Sequence, residues 1–550
     1  MKKAFVILVS ALLLLTACSN GESGDTVEST AISDGDYSVL RVSDLPEYVL
    51  VRPDAASAEL TKSFHKLRDA INEKTSVNLP TKTDFFREDK EMFKRGEYEI
   101  LVGATEREES VNFIKDLRSR DYGYALVNKK LVIAGKTEDA TILAVDAFIK
   151  DVLKSAGPGI FYSSRYDRTV YGEYDVKELF IGDIPIEDFR IVYPRQCITE
   201  VKECVRKITD AVGKTCGFLP EAVNDRTPRE EFAHEILIGN TNRDGTSADQ
   251  DGAPVISFDG TDVRINGPDA GSVCLGIGEF ISKVSSLKGD TVKMKLENKE
   301  EINVTAMTAM SFNVLVSKMT EERSGRVVEM VKKYMPDTVG FQEASPSWME
   351  VLKNGLSDVY AFTGEGRNGG DSGEYNPIFY NKNKFTLISS KTQWLSDTPG
   401  FPSKYSESSL NRIFTYALLE RKEDGKRLMV INTHFDHTND TARERQAKVL
   451  ARFISENLEY PIILTGDFNT SASSAAFNTV VSSGVVNSYA VAAKSETAPT
   501  FTDFGSRSAV IDFIFIDPLR IAVRSYKVCN EKINGEWPSD HHPVLIEYMA

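Results

Sequence analysis

The sequence predicts two small α+β domains in tandem, followed by one larger α/β domain. Three observations carry that prediction. The chain has 550 residues, and at roughly 100–200 residues per domain this implies about three or four domains, each large enough to bury a core. An order of elements in the first half recurs in a second stretch. After about Asn303 the pattern changes to strands and helices that alternate to the C-terminus. Composition is ordinary for a globular protein, with 41% hydrophobic, 27% charged and 9% aromatic residues. A disordered, collagen-like or multi-span membrane protein is thereby excluded. A formal charge of −15, from 66 Lys+Arg against 81 Asp+Glu, repels polyanions at long range. High-affinity nucleic-acid binding by the whole chain is disfavoured, although a local basic face stays open.

The first residues read as a targeting segment: Lys2 and Lys3, an apolar run over residues 4–15, then Leu15-Thr16-Ala17-Cys18. The run is too short for a spanning helix, which needs about 20 residues. It resembles a bacterial lipoprotein signal peptide (residues 1–17), which implies that Cys18 becomes the lipidated N-terminus and anchors the protein on the outer side of the cytoplasmic membrane. Residues 18–37 are polar and suit a flexible tether. Five further cysteines, Cys197, Cys204, Cys216, Cys274 and Cys529, form no CxxC pair. They match neither a disulfide framework nor a zinc site, and at most one or two bridges are allowed within residues 197–274.

In the first repeat (38–180), Val49-Leu50-Val51 reads as a strand and residues 58–73 as a helix. Strands at Glu99-Ile100-Leu101-Val102 and Leu131-Val132-Ile133 and a helix near 140–153 follow. The second (181–300) keeps the order, with Phe189-Arg190-Ile191-Val192, a helix over 199–212, Glu235-Ile236-Leu237-Ile238-Gly239, Val263-Arg264-Ile265 and a helix near 271–284. The Glu-Ile-Leu-Val/Ile-Gly strand, followed in the second copy by Asn240-Thr241-Asn242-Arg243, resembles the non-catalytic N-terminal domains of some bacterial β-hexosaminidases and α-glucuronidases. That resemblance implies an accessory role in a glycan context; a pair of scaffolding domains without a ligand is the alternative. Residues 285–302 read as connecting chain.

The last domain (303–550) opens with a strand over 304–314 and an amphipathic helix over 321–335 that Pro336-Asp337 stops. Strands are predicted at 338–342, 377–380, 414–419, 427–432, 461–464 and 510–516, with a long helix at 441–456. Several of these strands end on polar residues: Ser311-Phe312-Asn313, Gln342-Glu343, Asn432-Thr433-His434, Asp467-Phe468-Asn469 and Ser539-Asp540-His541-His542. Asp512 lies inside an apolar run. An unpaired polar group at the end of a buried strand costs about 1–3 kcal/mol unless something binds it. Capping explains one such end and does not explain six.

Taken in order, these motifs resemble the endonuclease/exonuclease/phosphatase superfamily of metal-dependent phosphoesterases over about residues 304–548. The resemblance implies a four-layer α/β sandwich, two packed β-sheets flanked by helices. It also implies Mg²⁺ (or Mn²⁺) held by Asn313 and Glu343, with Asp540 as a further ligand, and a catalytic set of His434, Asp467, Asn469, Asp512 and His541. Hard oxygen ligands suit Mg²⁺, which takes only one or two protein carboxylates, and phosphoryl transfer is catalysed by positioning and charge. Asp467 and Asn469, two apart, project to one side to orient and deprotonate water, although which of Asp467 and the histidines is the base stays open. His541 beside Asp512 would be held as a cation facing the phosphate. Asn376, Arg367 and Arg412 are candidate substrate contacts. Arg367 lies in a Gly-rich segment, 364–373, read as a flexible loop. His437 and His542 are expected beside the site.

Trp394-Leu395-Ser396-Asp397-Thr398-Pro399, Arg412 and Arg443-x-x-Gln446 resemble an often secreted subgroup of this superfamily, but residues 401–411 depart from it and leave substrate choice open. The substrate expected is a phosphoester of lipid, nucleic acid or phosphorylated glycan, hydrolysed by a monomer. A different class of function, a glycan-binding surface lipoprotein with an inactive phosphoesterase-like domain, is the second reading of the same residues.

Overall fold

The computed structural model describes residues 37–86, 95–154, 159–229, 234–243 and 253–550. The signal segment, Cys18 and nearly all of the tether lie outside the described residues. Among the described residues no helix is long and apolar enough to cross a membrane.

The first repeat is built on strands β1 (Val49–Arg52), β2 (Thr81–Thr83), β3 (Glu99–Val102), β4 (Tyr122–Val127), β5 (Lys130–Gly135) and β6 (Arg168–Val170), in the order β2-β1-β3-β5-β4-β6. The second uses β7 (Phe189–Tyr193), β8 (Ala222–Asn224), β9 (His234–Ile238), β10 (Val255–Phe258), β11 (Val263–Asn266) and β12 (Glu300–Glu301), in the order β8-β7-β9-β11-β10-β12. The permutation is the same, and in both sheets three neighbouring pairs are parallel and two antiparallel, so that only β4 in the first and β10 in the second run against the other five strands. The repeat visible in sequence is therefore a repeat of topology.

Helix α1 (Ala58–Thr75) covers the first sheet with Leu60, Phe64, Leu67 and Ile71, a spacing of three and four that makes one apolar face. Its counterpart α3 (Thr199–Cys216) does so with Val201, Cys204, Val205, Ile208 and Val212. Each repeat adds a second helix, α2 (Glu138–Ala147) and α4 (Ala270–Ser285). All five described cysteines are free, so the bridges allowed within 197–274 are not formed. Cys204, Cys216 and Cys274 instead pack as small apolar groups in the second core. Residues 285–302 also differ from expectation. They are not merely connecting chain, since Gly289–Met294 runs parallel to Val176–Ile181. Their side chains are largely exposed, which is why no buried alternation announced the strand.

The modules dock closely. Ser119 donates through its hydroxyl to Gly213 O (2.5 Å) and through its amide to Gly217 O (2.9 Å), joining the repeats. Helix α4 lies against the C-terminal domain so tightly that a Cβ on Gly278 would stand 1.8 Å from Leu519 O.

That domain has two sheets. One contains β13 (Ala306–Asn313), β14 (Thr338–Gln342), β15 (Tyr360–Thr363), β16 (Ile378–Asn381), β24 (Ala522–Val528), β25 (Val544–Met549) and the short β22 (Lys494–Ser495), ordered β15-β16-β14-β13-β25-β24-β22. The other contains β17 (Phe385–Trp394), β18 (Ile413–Arg421), β19 (Arg427–His434), β20 (Ile462–Asp467), β21 (Val486–Asn487) and β23 (Asp512–Ile516), ordered β17-β18-β19-β20-β23-β21. Met307, Ala309, Ile546 and Tyr548 from the first meet Ala417, Val430, Ile463 and Ile514 from the second in a central core. Helices α5 (Glu321–Tyr334) and α6 (Pro346–Leu356) cover the outer face of the first sheet, and α7 (Asp440–Ser455) and α8 (Ala475–Val481) that of the second. This is the four-layer α/β sandwich.

Candidate active site

Two-residue alternation decides which side chains meet. On β13, Met307 and Ala309 point between the sheets, so Ser311 and Asn313 follow them there, while Met310 and Phe312 pack under helices. On β19, Leu428 and Val430 carry Asn432 and His434 inward; on β20, Ile463 carries Thr465 and Asp467; on β23, Ile514 and Ile516 share a face with Asp512. Pairing then sets His434 opposite Asp467 and Asp467 opposite Asp512. Below them a polar layer joins the sheets. Gln342 Nε2 donates to Asn432 Oδ1 (2.7 Å), and Asn432 Nδ2 donates to Phe341 O (2.7 Å) and Pro377 O (3.0 Å). Gly340 permits this approach, since a Cβ there would lie 2.1 Å from Thr465 Oγ1.

At the open end of the seam the polar groups form a continuous set. Asp512 Oδ2 lies 2.9 Å from His541 Nδ1, and His541 Nε2 lies 3.8 Å from Asp467 Oδ2. Asn313 Nδ2 donates to Asp467 Oδ2 (2.9 Å) and Glu343 Oε1 (3.1 Å), and Glu343 Oε2 accepts from Val316 N (2.8 Å). Asn469 N donates to Asp467 Oδ1 (2.9 Å), and its side-chain amide lies 3.0 Å from His434 Nε2. Glu343 (φ 60°) and Asn469 (φ 49°) both sit in the left-handed region, a conformation non-glycine residues keep where surroundings demand it. A second, more basic wall holds Arg412, whose Nη2 lies 3.0 Å from His437 Nδ1, and Arg367, paired with Glu374 at 2.7 Å.

The model of the endonuclease/exonuclease/phosphatase family matches residues 310–541. A solved endonuclease/exonuclease/phosphatase from Bacteroides vulgatus shares 32% identity over 44% of this chain and 98% of its own, with a TM-score of 0.42. A family protein from Bacteroides thetaiotaomicron shares 29% over 45% of this chain and 99% of its own, TM-score 0.42. The chain belongs to the endonuclease/exonuclease/phosphatase family. A mannosyl-6-phosphatase from Bacteroides thetaiotaomicron is also similar, at 29% identity over 44% of this chain and 99% of its own, TM-score 0.41. No curated protein matches.

Burial sets the electrostatics of this family site. Asp467 is pushed up to about 7, first by burial and then by the Asp512 carboxylate, with His541 and the bonds from Asn469 and Asn313 working against it. Burial opposes the charged form of His541, but Asp512 and Asp467 overcome it and raise the imidazole to about 10. His434 is held well below its ordinary range by burial and by the cations of Arg412 and His541, so it is neutral. Asp540 and Glu374 are both raised, chiefly by burial, with Glu343 adding to each.

The residues present fit a small divalent cation. Family members are typically divalent-metal dependent, and donor atoms of Glu343, His434 and Asp467 lie within 4.8 Å of one another. That span is of the order bridged by two bonds of about 2.1 Å. Asp467, Asp512 and His541 form the other such set among the described residues. His434 Nδ1 and Asp512 Oδ1 are buried without a hydrogen-bond partner in the protein.

The structure brings together Asn313, Glu343, His434, Asp467, Asn469, Asp512 and His541. Asp540 stands beside them but in neither close set, its Oδ1 accepting from Ser539 Oγ at 3.1 Å. Asn376 is buried, with its amide on Ile413 O (2.9 Å). The Gly-rich segment is built rather than loose: Arg367 N donates to Glu374 O (2.9 Å), Asn368 N to Ser372 O (2.9 Å), and Trp394 Nε1 to Arg367 O (2.6 Å). Arg443 and Arg445 on α7 serve the scaffold. Arg443 donates to Asp436 O (2.7 Å), and Arg445 stacks 3.7 Å over Tyr405. Sequence reasoning missed Glu374 and Arg323. Glu374 lay two residues before Asn376 at the end of a glycine-rich run, and Arg323 was a base in a helix first turn, where acids are favoured.

Proposed function

We propose that the C-terminal domain is a Mg²⁺-dependent phosphoesterase, with Mn²⁺ an effective substitute, that hydrolyses its substrate by in-line attack of water. The line Asp512–His541–Asp467, beside Glu343, carries this reading: two buried carboxylates and a half-buried third face one imidazole and one amide. Asn313 and Glu343, joined by the donor atoms of Asp467 and by Asp540, hold the cation. When bound, the cation supplies positive charge to the phosphoryl oxygens. Asp467, whose affinity for a proton is raised toward neutrality, accepts the proton of the attacking water at Oδ2, and Asn469 fixes its orientation by holding Oδ1. His541, kept cationic by Asp512, faces the phosphoryl group, and neutral His434 contacts its oxygens.

Within that chemistry the phosphomonoester is the favoured ester. A monoester carries one more negative charge than a diester, and Arg412, beside an Arg367 that is paired with Glu374, adds positive charge next to His434. The similar mannosyl-6-phosphatase supports the same choice. The lipoprotein-like segment ending at Cys18 supports an enzyme anchored at the cell envelope, and the net charge of −15 favours a glycan or lipid phosphoester over nucleic acid. The repeats then act as a spacer that contacts glycan. The test is a purified chain of residues 38–550 assayed with p-nitrophenyl phosphate, bis-p-nitrophenyl phosphate, plasmid DNA and sphingomyelin. We expect monoester turnover that EDTA abolishes and Mg²⁺ or Mn²⁺ restores. Inertness toward all four substrates would sink the proposal.

A further inference from the structure

Arg323 lies in the first turn of α5, after Glu321 and Glu322, where the helix dipole disfavours a cation. Its side chain is nevertheless only 4% exposed, and among the described residues no carboxylate is ion-paired with it. Every hydrogen bond it makes goes to a backbone carbonyl. Nε donates to Lys318 O (2.9 Å), Nη1 to Val314 O (2.6 Å) and Pro538 O (3.1 Å), and Nη2 to Leu315 O (2.7 Å) and Ser317 O (2.8 Å). A guanidinium has five N–H groups in a fixed plane. The plane stacks 4.8 Å from the Trp348 ring, and Trp348 Nε1 donates to the same Leu315 carbonyl (3.2 Å).

Both segments gripped this way carry site residues. Residues 314–318 follow Asn313 and include Leu315 (φ 57°) and Lys318 (φ 53°), two non-glycine residues in the left-handed region. Because the carbonyls of this loop turn toward the guanidinium, its amides turn toward the site. Leu315 N donates to Asn313 Oδ1 (3.0 Å) and Val316 N to Glu343 Oε2 (2.8 Å). Pro538 immediately precedes Ser539-Asp540-His541. Burial lowers Arg323 to about 10, with Asp540 and Glu343 acting the other way, so it stays charged at neutral pH behind those two acids.

We propose that Arg323 is a positioning residue of the cation site: it clamps the loop after Asn313 to the loop before Asp540, aims two backbone amides at Asn313 and Glu343, and so fixes the spacing of the ligands. This rests on the cation-dependent reading above. Lysine keeps the charge but is a point donor that cannot span four carbonyls of one loop and a fifth of another.

The test measures Mn²⁺ binding by electron paramagnetic resonance, and kcat and KM for p-nitrophenyl phosphate with Mg²⁺, per folded molecule of the full chain. For Arg323→Lys we expect Mn²⁺ affinity and kcat each to fall by about 10–100-fold, the range typical of groups that orient metal ligands, with KM little changed. Trp348→Phe keeps an aromatic face for the guanidinium, removes the indole Nε1 donor to Leu315 O, and should shift both quantities the same way by less. A purely structural role would lower the yield of folded protein and leave Mn²⁺ affinity and kcat of the folded fraction at wild-type values, which overturns the proposal. Should Arg323→Lys fail to fold, wild-type values in Trp348→Phe overturn it equally. If the wild type binds Mn²⁺ but cleaves no phosphoester, the enzymatic reading fails while the Mn²⁺ comparison still judges Arg323. A wild type that binds no Mn²⁺ takes both down.

Discussion

The repeats and the C-terminal domain both bury carboxylates at strand ends, and they neutralise them differently. Glu99, fully buried at the start of β3, meets Arg107 at 3.0 Å, Lys82 at 3.0 Å and Lys130 at 3.4 Å. Its counterpart Glu235 meets Arg190 at 2.8 Å and Arg243 at 2.9 Å. The acid and the later arginine are eight residues apart in both copies, so the ion pair is part of what was duplicated. Asp467 instead faces another carboxylate, an amide and an imidazole. Despite burial, Glu99 is held at about 2, chiefly through Arg107, while Asp467 is raised to about 7. Burial alone therefore does not mark function. A buried acid with guanidinium partners locks a fold, and a buried acid short of positive charge marks a place for a cation and a proton.

The sharpest way to break this contrast is to neutralise one acid of each kind. Asp467→Asn should lower turnover by about 10²–10⁴-fold, the range for loss of a general base, without lowering the unfolding temperature, because it relieves repulsion with Asp512. Glu99→Gln should do the reverse. Leaving the buried guanidinium of Arg107 without its acid costs about 3–5 kcal/mol, read by denaturant titration, while kcat/KM stays at the wild-type value. If Asp467→Asn destabilised the chain or Glu99→Gln lost activity, the division of roles would be wrong.

pH sharpens the same contrast with a smaller effect. Glu99 falls from its ordinary 4.5 to about 2 in the fold. A depressed carboxylate stabilises fully above its unfolded value and loses that contribution as pH falls through the folded one. Repeat 1 should therefore weaken between about pH 4.5 and 2, by about 3 kcal/mol in all. In Glu99→Gln that part of the pH dependence should vanish. Asp467 has the opposite sign. Raised from 3.8 to about 7, it contributes below pH 3.8 and loses that contribution as pH rises through 7. Unfolding monitored from pH 2 to 8 should show the two regions responding in opposite directions.

Much of the site was legible in the sequence because alternation is legible. Once Met307 and Ala309 face the seam, Asn313 must, and the same parity carries His434, Asp467 and Asp512 inward. Strand Thr338–Gln342 was visible as a short run buried at every position, and helix Thr199–Cys216 through the three-and-four spacing of its buried face. What stayed hidden lacked periodicity. Gly289–Met294 is an exposed strand whose pairing with Val176–Ile181 depends on residues more than a hundred positions away. The Arg367–Glu374 pair is made by a loop, and the carbonyl cage around Arg323 is made of backbone, which carries no residue-type signal. Charge partners of Glu99 and Glu235 are likewise tertiary, although the shared Glu-to-Arg spacing was there to be read in both copies.

The smallest expected effect separates cation binding from ordinary ion pairing. In the C-terminal domain the carboxylates of Glu343 and Asp467 are linked through the Asn313 amide, at 3.1 and 2.9 Å, and among the described residues no arginine or lysine is ion-paired with either, so a divalent cation added there relieves repulsion that His541 offsets only in part. Glu99 and Glu235 already touch guanidinium groups, and a cation has nothing to gain beside them. At 10 mM Mg²⁺ and a dissociation constant of the order of 1 mM, mass action stabilises the binding domain by about 1.4 kcal/mol, or roughly 2–6 °C for a domain of this size. Calorimetry should resolve that shift in the C-terminal transition alone, retained in Glu99→Gln and lost in Asp467→Asn. A shift shared by every transition would mean that Mg²⁺ acts through ionic strength on the whole acidic chain, and the distinction between the two kinds of buried acid would then have no bearing on where a cation binds.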